Sequence, residues 1–174
     1  MDYSTTMKKS DSKNQEFPGQ IFTIIPNRLV LQTEQSPWPA GWIPLSSGYF
    51  PAAKGHYIER KNPLEDAVIK YCIDGLGWAE INGIRFAVPR GSVLCIPPGA
   101  PHRYGADEHD PWTILWVHIK HPAAGKLLKQ IGFSTENPVI ETGISSRLQA
   151  LLREIVETHR HTFSPEELRY TGSL

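Results

Sequence analysis

The sequence predicts a mainly β fold, an antiparallel sandwich or barrel, with α-helices after it. Three observations carry this. Short runs rich in β-branched and aromatic residues, separated by turn residues, fill the chain from about residue 20 to 120. One such run is split by Asn82-Gly83, the favoured pair for a two-residue type I′ hairpin. After residue 121 the apolar period changes from two to that of a helix. The 174 residues, 40% of them hydrophobic, suffice for one domain with a real core.

Each element follows from its residues. Residues 1–16 are polar and aperiodic and read as a mobile arm. RLVLQT reads as a short strand, and PWPAGWIPLSSGYFPAAKGHYIER mixes turns with short extended pieces. AVIKYCI is a β-rich run closed by Asp74-Gly75, and SVLCIPP is an apolar strand stopped by proline. In WTILWVHI, alternation puts Trp112, Ile114, Trp116 and His118 on one face, with Thr113, Leu115, Val117 and Ile119 on the other. PAAGKLLKQIGF predicts a short helix with Pro122 at its start. ISSRLQALLREIVETHR predicts a longer one, striped by Ile144, Leu148, Leu151, Leu152 and Ile155. Ser164-Pro165-Glu166-Glu167 is an N-cap, a first-turn proline and a capping-box Glu. So strong a start signal so near Leu174 predicts a chain cut from a longer protein.

Composition narrows the function. Lys plus Arg equal Asp plus Glu at 18 each, so these residues carry no electrostatic footprint for nucleic acid. No apolar run approaches the length of a membrane span, and the polar start lacks the apolar stretch of a secretory signal. Cys72 and Cys95 lie inside apolar runs and read as buried thiols in a reducing compartment, hence the cytoplasm.

The stretch GSVLCIPPGAPHRYG, residues 91–105, ends a buried strand in a rigid turn followed by His102 and Tyr104. From the residues alone His102 is a metal ligand, a base, a ligand-reading group or a packed ring. A metal needs three or four converging ligands. His56, His109, His118 and His121 are available, but no HxH or HExxH pair occurs, so no metal is expected. Ser46, Ser47 and Ser92 lie in no GxSxG elbow, and neither cysteine is placed as a reactive thiolate, so no catalytic residue is assigned. A binding pocket pairs an aromatic platform with a few convergent polar groups. Arg60, His102, Tyr104 and Trp116 supply these types, the indole for the C–H face of a sugar and the others for its hydroxyls.

The same stretch fits the second cupin motif, G-x5-P-x-G-x2-H, through Gly91, Pro97, Gly99 and His102. The motif's final Asn is Ala106 here, and the HxH-and-Glu first motif is missing, with Val68 where its Glu belongs. The resemblance implies the cupin barrel, a jelly-roll type, without the cupin metal. The ordered set IER, IDGLGWAEINGIRFAVPRGSVLCIPPGAPHRYG, PWTILWVHI and helices, over roughly residues 20–165, resembles the N-terminal domain of AraC-type transcription regulators. In the arabinose regulator of that family the sugar rests on a tryptophan, which Trp116 matches. The resemblance likewise implies Arg60, Tyr104 and Ser46 as ligand contacts. Ile114 stands where that pocket has a histidine, which puts arabinose itself in doubt. His102, Trp112 and His118 are expected at the pocket rim, His102 chiefly as a turn-stabilising group.

These readings divide the chain into an arm (1–16), a cupin-like ligand-binding barrel (17–121) and a helical dimerisation segment (122–174) cut before a DNA-binding domain. The implied function is sensing of a small-molecule effector, a carbohydrate, by a homodimeric regulator with no cofactor. Leu148, Leu151, Leu152 and Ile155 are expected at the dimer seam. DNA would be met only through a helix-turn-helix domain outside these residues. The competing reading is a stand-alone cupin enzyme, such as a sugar isomerase or a metal-dependent oxygenase.

Overall fold

The computed structural model describes residues 16–36, 41–62, 64–161 and 163–174. Nearly all of the expected arm therefore lies outside the described residues. Strand β1 (Ile21–Ile24) is followed by helix α1 (Asn27–Glu34) and by eight strands: β2 (Ile43–Phe50), β3 (Tyr57–Arg60), β4 (Ala67–Asp74), β5 (Leu76–Ile81), β6 (Ile84–Pro89), β7 (Ser92–Ile96), β8 (His102–Ala106) and β9 (Thr113–Lys120). Helix α2 (Ala124–Gln130), strand β10 (Val139–Glu141), and helices α3 (Ser146–His161) and α4 (Pro165–Ser173) complete the chain.

A six-stranded sheet in the order β1-β2-β9-β4-β7-β10 faces a four-stranded sheet in the order β3-β8-β5-β6. The pairings between these strands are antiparallel, giving the expected mainly β barrel with helices after it. Asn82 and Gly83 both take positive φ, 52° and 82°, and pair Ile81 with Ile84 across the tight turn.

Alternation on β9 decides the layering. Trp112, Ile114 and Trp116 enter the core between the sheets, with Val68, Cys72, Ala79, Leu94 and Tyr104. Leu115, Val117 and Ile119 point the other way, under Leu152, Ile155 and Val156 of α3. A third cluster joins α1 and α4 over β2 through Leu29, Val30, Leu45 and Leu168.

Three expectations need correction. RLVLQT is helical, not extended. A strand would place Leu29 and Leu31 on one face, but Leu29, Val30 and Thr33 are buried together while Leu31 is 46% exposed. Pro26 at the N-cap fits that helix start. The segment after residue 121 is not wholly helical, because β10 returns to pair with β7. The stripe on α3 is used from within: Leu152, Ile155 and Val156 are buried on the chain's own sheet, and Ile144 is exposed ahead of the helix. Leu152 and Ile155 are thus covered by their own barrel, whereas Leu151 stays half-buried.

Helix α4 starts as its sequence demands, with Ser164 Oγ accepting from Glu167 N–H and Pro165 in the first turn. His159 ties three elements together. The Thr171 hydroxyl donates to Glu167 O at 2.8 Å, so it accepts from His159 Nε2–H at 3.0 Å. His159 Nδ1 is then left to accept the Ser47 hydroxyl at 2.8 Å.

Candidate ligand-binding site

The interior wall of the six-stranded sheet is laid out by register. Ser46, His118, Val68 and Ile96 form one row across β2, β9, β4 and β7. Gly48, Trp116, Lys70 and Leu94 form the next, and Phe50, Ile114, Cys72 and Ser92 the third. From the opposite sheet, β3 and β8 supply Ile58 opposite Tyr104 and Arg60 opposite His102. A buried polar cluster results at one end of an otherwise apolar barrel, built from Ser46, Arg60, Asp66, Lys70, His102, Tyr104, Trp116 and His118.

Lys70 occupies its middle. The side chain is 2% exposed, and Nζ lies 4.3 Å from the Tyr104 ring centroid and 5.3 Å from that of Trp116, bridging the two sheets. Burial, then the nearby Arg60 guanidinium, lowers its pKa to about 7. The Trp116 indole leans across Gly48, where a Cβ would stand 2.6 Å from ring atom Cζ2, so glycine is what lets the ring lie there. Phe50 and His118 meet that indole edge-on, with centroids at 5.3 and 5.6 Å. The indole Nε1 is buried with no hydrogen-bond partner among the described residues.

His118 Nδ1 lies 2.7 Å from Asp66 Oδ2, both side chains fully enclosed. Burial outweighs the raising effect of Asp66 and lowers the imidazole pKa, so the contact is a neutral Nδ1–H donating to a carboxylate. His102 Nδ1 donates to Ala100 O at 2.7 Å across the Pro-Pro-Gly turn, and its ring stacks on Tyr104 at 5.8 Å. Burial pushes its pKa down to about 4. His102 thus holds the turn and steadies Tyr104, whose own phenol is pushed up by burial. Arg60 and His102 also form the inner wall of a surface pocket of about 320 Å³, rimmed by Glu59, Lys61, Glu80 and Arg103.

The structure places Ser46, Arg60, Tyr104, Trp116, His102 and His118 near one another. Two others lie beside that group. Trp112 is fully buried with its ring 6.3 Å from that of Tyr104, lies against Gly77, and donates Nε1–H to His56 Nδ1 at 3.1 Å. Ile114 faces the interior but is a wall residue among Phe50, Cys72 and Ser92 rather than part of the polar group. Lys70 and Asp66 belong to no sequence motif. The signal for Lys70 is legible: a lysine between Ile69 and Tyr71, on the same face as Val68 and Cys72, sits in a strand apolar on both faces. Among the described residues no three His, Cys, Asp or Glu side chains group as a metal would require. No helix among them is long and apolar enough to cross a membrane.

The profile of the AraC-like ligand binding domain matches residues 43–170. The MmsAB operon regulatory protein of Pseudomonas aeruginosa is 27% identical over 169 residues, covering 93% of this chain and 54% of the relative. Acireductone dioxygenase 2 of Physcomitrium patens is 31% identical over 62 residues, covering 33% of this chain and 32% of that protein. The chain therefore spans about half the length of the regulator and a third of the dioxygenase. Among solved structures, a Cupin 2 conserved barrel domain protein from Salinispora arenicola aligns over 56% of this chain and 80% of its own, at 19% identity and a TM-score of 0.37.

Proposed function

The chain belongs to the AraC-like ligand-binding domains, and from that premise we propose that it is the effector-sensing, dimerising part of a cytoplasmic transcription regulator, acting by binding and not by catalysis. The observation that carries the reading is the buried polar cluster in which Trp116, Tyr104, Arg60 and Lys70 converge from both sheets, with Arg60 and His102 reaching the surface pocket beside it. Its effector is a small, polyhydroxylated, carbohydrate-like molecule. Trp116 offers an apolar platform, while Arg60, Tyr104 and Ser46 are the hydrogen-bonding groups around it. Ligand entry shifts the chain between two states through contacts that differ in each.

Dimerisation runs through the outer side of α3, with Leu151 as the apolar position and Arg147 and Glu154 beside it, whereas Leu148 packs inward with Leu152 and Ile155. DNA is met through a helix-turn-helix segment outside these residues. Calorimetry against a panel of sugars and sugar derivatives tests the effector reading. A binder is expected whose affinity falls by about 1–3 kcal/mol on Trp116→Ala, the loss of one large buried contact. Equal binding by W116A would remove Trp116 from the site.

A further inference from the structure

The surface pocket of about 320 Å³ beside the polar cluster is held open by its own walls. Asn82 N–H donates to Pro101 O at 3.2 Å and ties the β5–β6 turn to the β7–β8 turn, while Arg103 is paired with Glu80 at 2.8 Å. His102 lines this pocket although it is only 7% exposed. Its Nδ1 donates to Ala100 O at 2.7 Å, and burial holds its pKa at about 4, so the ring is neutral near pH 7. The single ring proton is therefore on Nδ1, and Nε2 carries a bare lone pair. Among the described residues no group donates to that lone pair. One face of the ring is taken by Tyr104, 8° from parallel. Nε2 is not one of the polar atoms sealed inside the barrel, so it opens on the pocket. A nearly enclosed acceptor that opens on a preformed pocket is a group that meets its donor from outside.

We propose that this pocket is the outer part of the effector site and that His102 Nε2 there accepts a hydrogen bond from an uncharged hydroxyl of the effector, so that His102 determines specificity as well as holding its turn. This rests on the reading of the neighbouring polar cluster as the effector site, with which the pocket shares Arg60 and His102. A lone pair needs a ligand atom that brings a proton, which excludes a carboxylate or a phosphate dianion at this position. An ammonium brings protons but also a charge. Arg60 stands opposite His102 in the β3–β8 register, and Arg60, Lys70 and His118 all act on the ring in the sense of added positive charge. A ligand cation would meet that same field. On the rim, Glu80 is engaged by Arg103, and Glu59 accepts the Tyr57 hydroxyl at 3.3 Å. An alcohol hydroxyl brings the proton without the charge, and it loses its partner when the imidazole nitrogen is removed.

Long-range proton–nitrogen correlation spectra of protein labelled at histidine read this nitrogen directly. Before any probe is added, His102 is expected as the Nδ1–H tautomer, and a proton found on Nε2 overturns the proposal. Arabinose, xylose, glucose, galactose and xylitol are the uncharged probes, with acetate and methylammonium as the charged ones. At least one polyol is expected to move the Nε2 resonance in the direction of a nitrogen that accepts a hydrogen bond, and the charged probes are not. His102→Asn keeps a side-chain N–H for Ala100 O and has nothing at the place of Nε2. It is expected to bind that polyol roughly tenfold more weakly, with its urea midpoint near that of the wild type. A deoxy analogue lacking the hydroxyl in question is expected to bind both proteins alike. Should H102N not fold, the wild-type resonance and the deoxy series decide. Equal binding by folded H102N, a still Nε2 resonance while tryptophan emission reports binding, or a response to methylammonium or acetate that matches the polyol each overturns this role of His102 and leaves the effector site standing. If no polyol moves either Nε2 or the tryptophan emission, both fall.

Discussion

A lysine buried against aromatic rings makes the protein more stable as pH rises through neutrality, opposite to the usual loss of stability in base. The lysine pKa of 10.5 in an unfolded chain falls to about 7 in the fold. Between those values the unfolded chain holds a proton on Lys70 that the folded one does not, so stability rises with pH. At about 1.4 kcal/mol per pH unit, the gain from about pH 7 to about pH 8.5 is about 2 kcal/mol. That window is clean on both sides. His56, His102, His118 and His159 are held below their ordinary values, so their contributions lie below about pH 6.5. Cys72 and Cys95 are pushed up to about 12, and they favour the unfolded chain only as pH climbs past about 9. Urea unfolding followed by tryptophan fluorescence at the two pH values measures the effect. Lys70→Met is expected to flatten the slope and to raise stability at pH 7 by about 1–4 kcal/mol, as apolar replacements of buried charge do. A wild type whose stability is level or falls across the window refutes the reasoning, as does a K70M protein that keeps the slope.

Gly48→Ala puts a Cβ 2.6 Å from the Trp116 ring and 2.7 Å from Ile21 O, and is expected to cost about 1–3 kcal/mol in urea unfolding and to shift tryptophan emission; a neutral effect would mean that the ring does not lie across β2. His159→Ala leaves the Ser47 hydroxyl buried without its acceptor and is expected to cost about 2–4 kcal/mol. Because the His159 pKa is lowered to about 4, its protonation opposes folding as pH falls below about 6.5, so H159A should lose stability in acid less steeply than the wild type; an unchanged acid limb would contradict the assignment. Leu151→Glu is expected to weaken self-association at least about tenfold in sedimentation equilibrium without moving the monomer's unfolding midpoint, since Leu151 is only half-buried; equal dimerisation would exclude this side of α3.

Much of the fold was legible because strands impose a period of two. WTILWVHI sorted itself into an interior and an exterior face, and Asn82-Gly83 fixed a turn that only positive φ satisfies. RLVLQT misled because Leu-Val-Leu fits either period over so few residues, and what decides is tertiary: α4 stands ready to cover Leu29 and Val30. Arg60, Tyr104 and Trp116 stand in recognisable motifs, whereas Trp112 shares Trp116's face and differs only in its place along the barrel. Distance along a strand separates polar cluster from core, and sequence alternation does not encode it. Lys70 was hidden in a β-rich run, and Asp66 lies just before a strand, where only the folded register brings it to His118. The α3 stripe was visible, but how much of it the barrel covers depends on the width of the six-stranded sheet.

His159, with a hydroxyl on each ring nitrogen, has no rotational freedom left. Ser47 holds one side from β2 and Thr171 the other from α4, so tilting α4 against α3 breaks a buried bond. His159 thereby ties both helices to the middle of β2 through two buried hydrogen bonds. That same strand, one residue to either side, presents Ser46 and Gly48 to the polar cluster. A single peptide segment is thus the common wall of the interior and the anchor of the helical pair, and a displacement of that wall by a bound guest reaches both helices without crossing any loop.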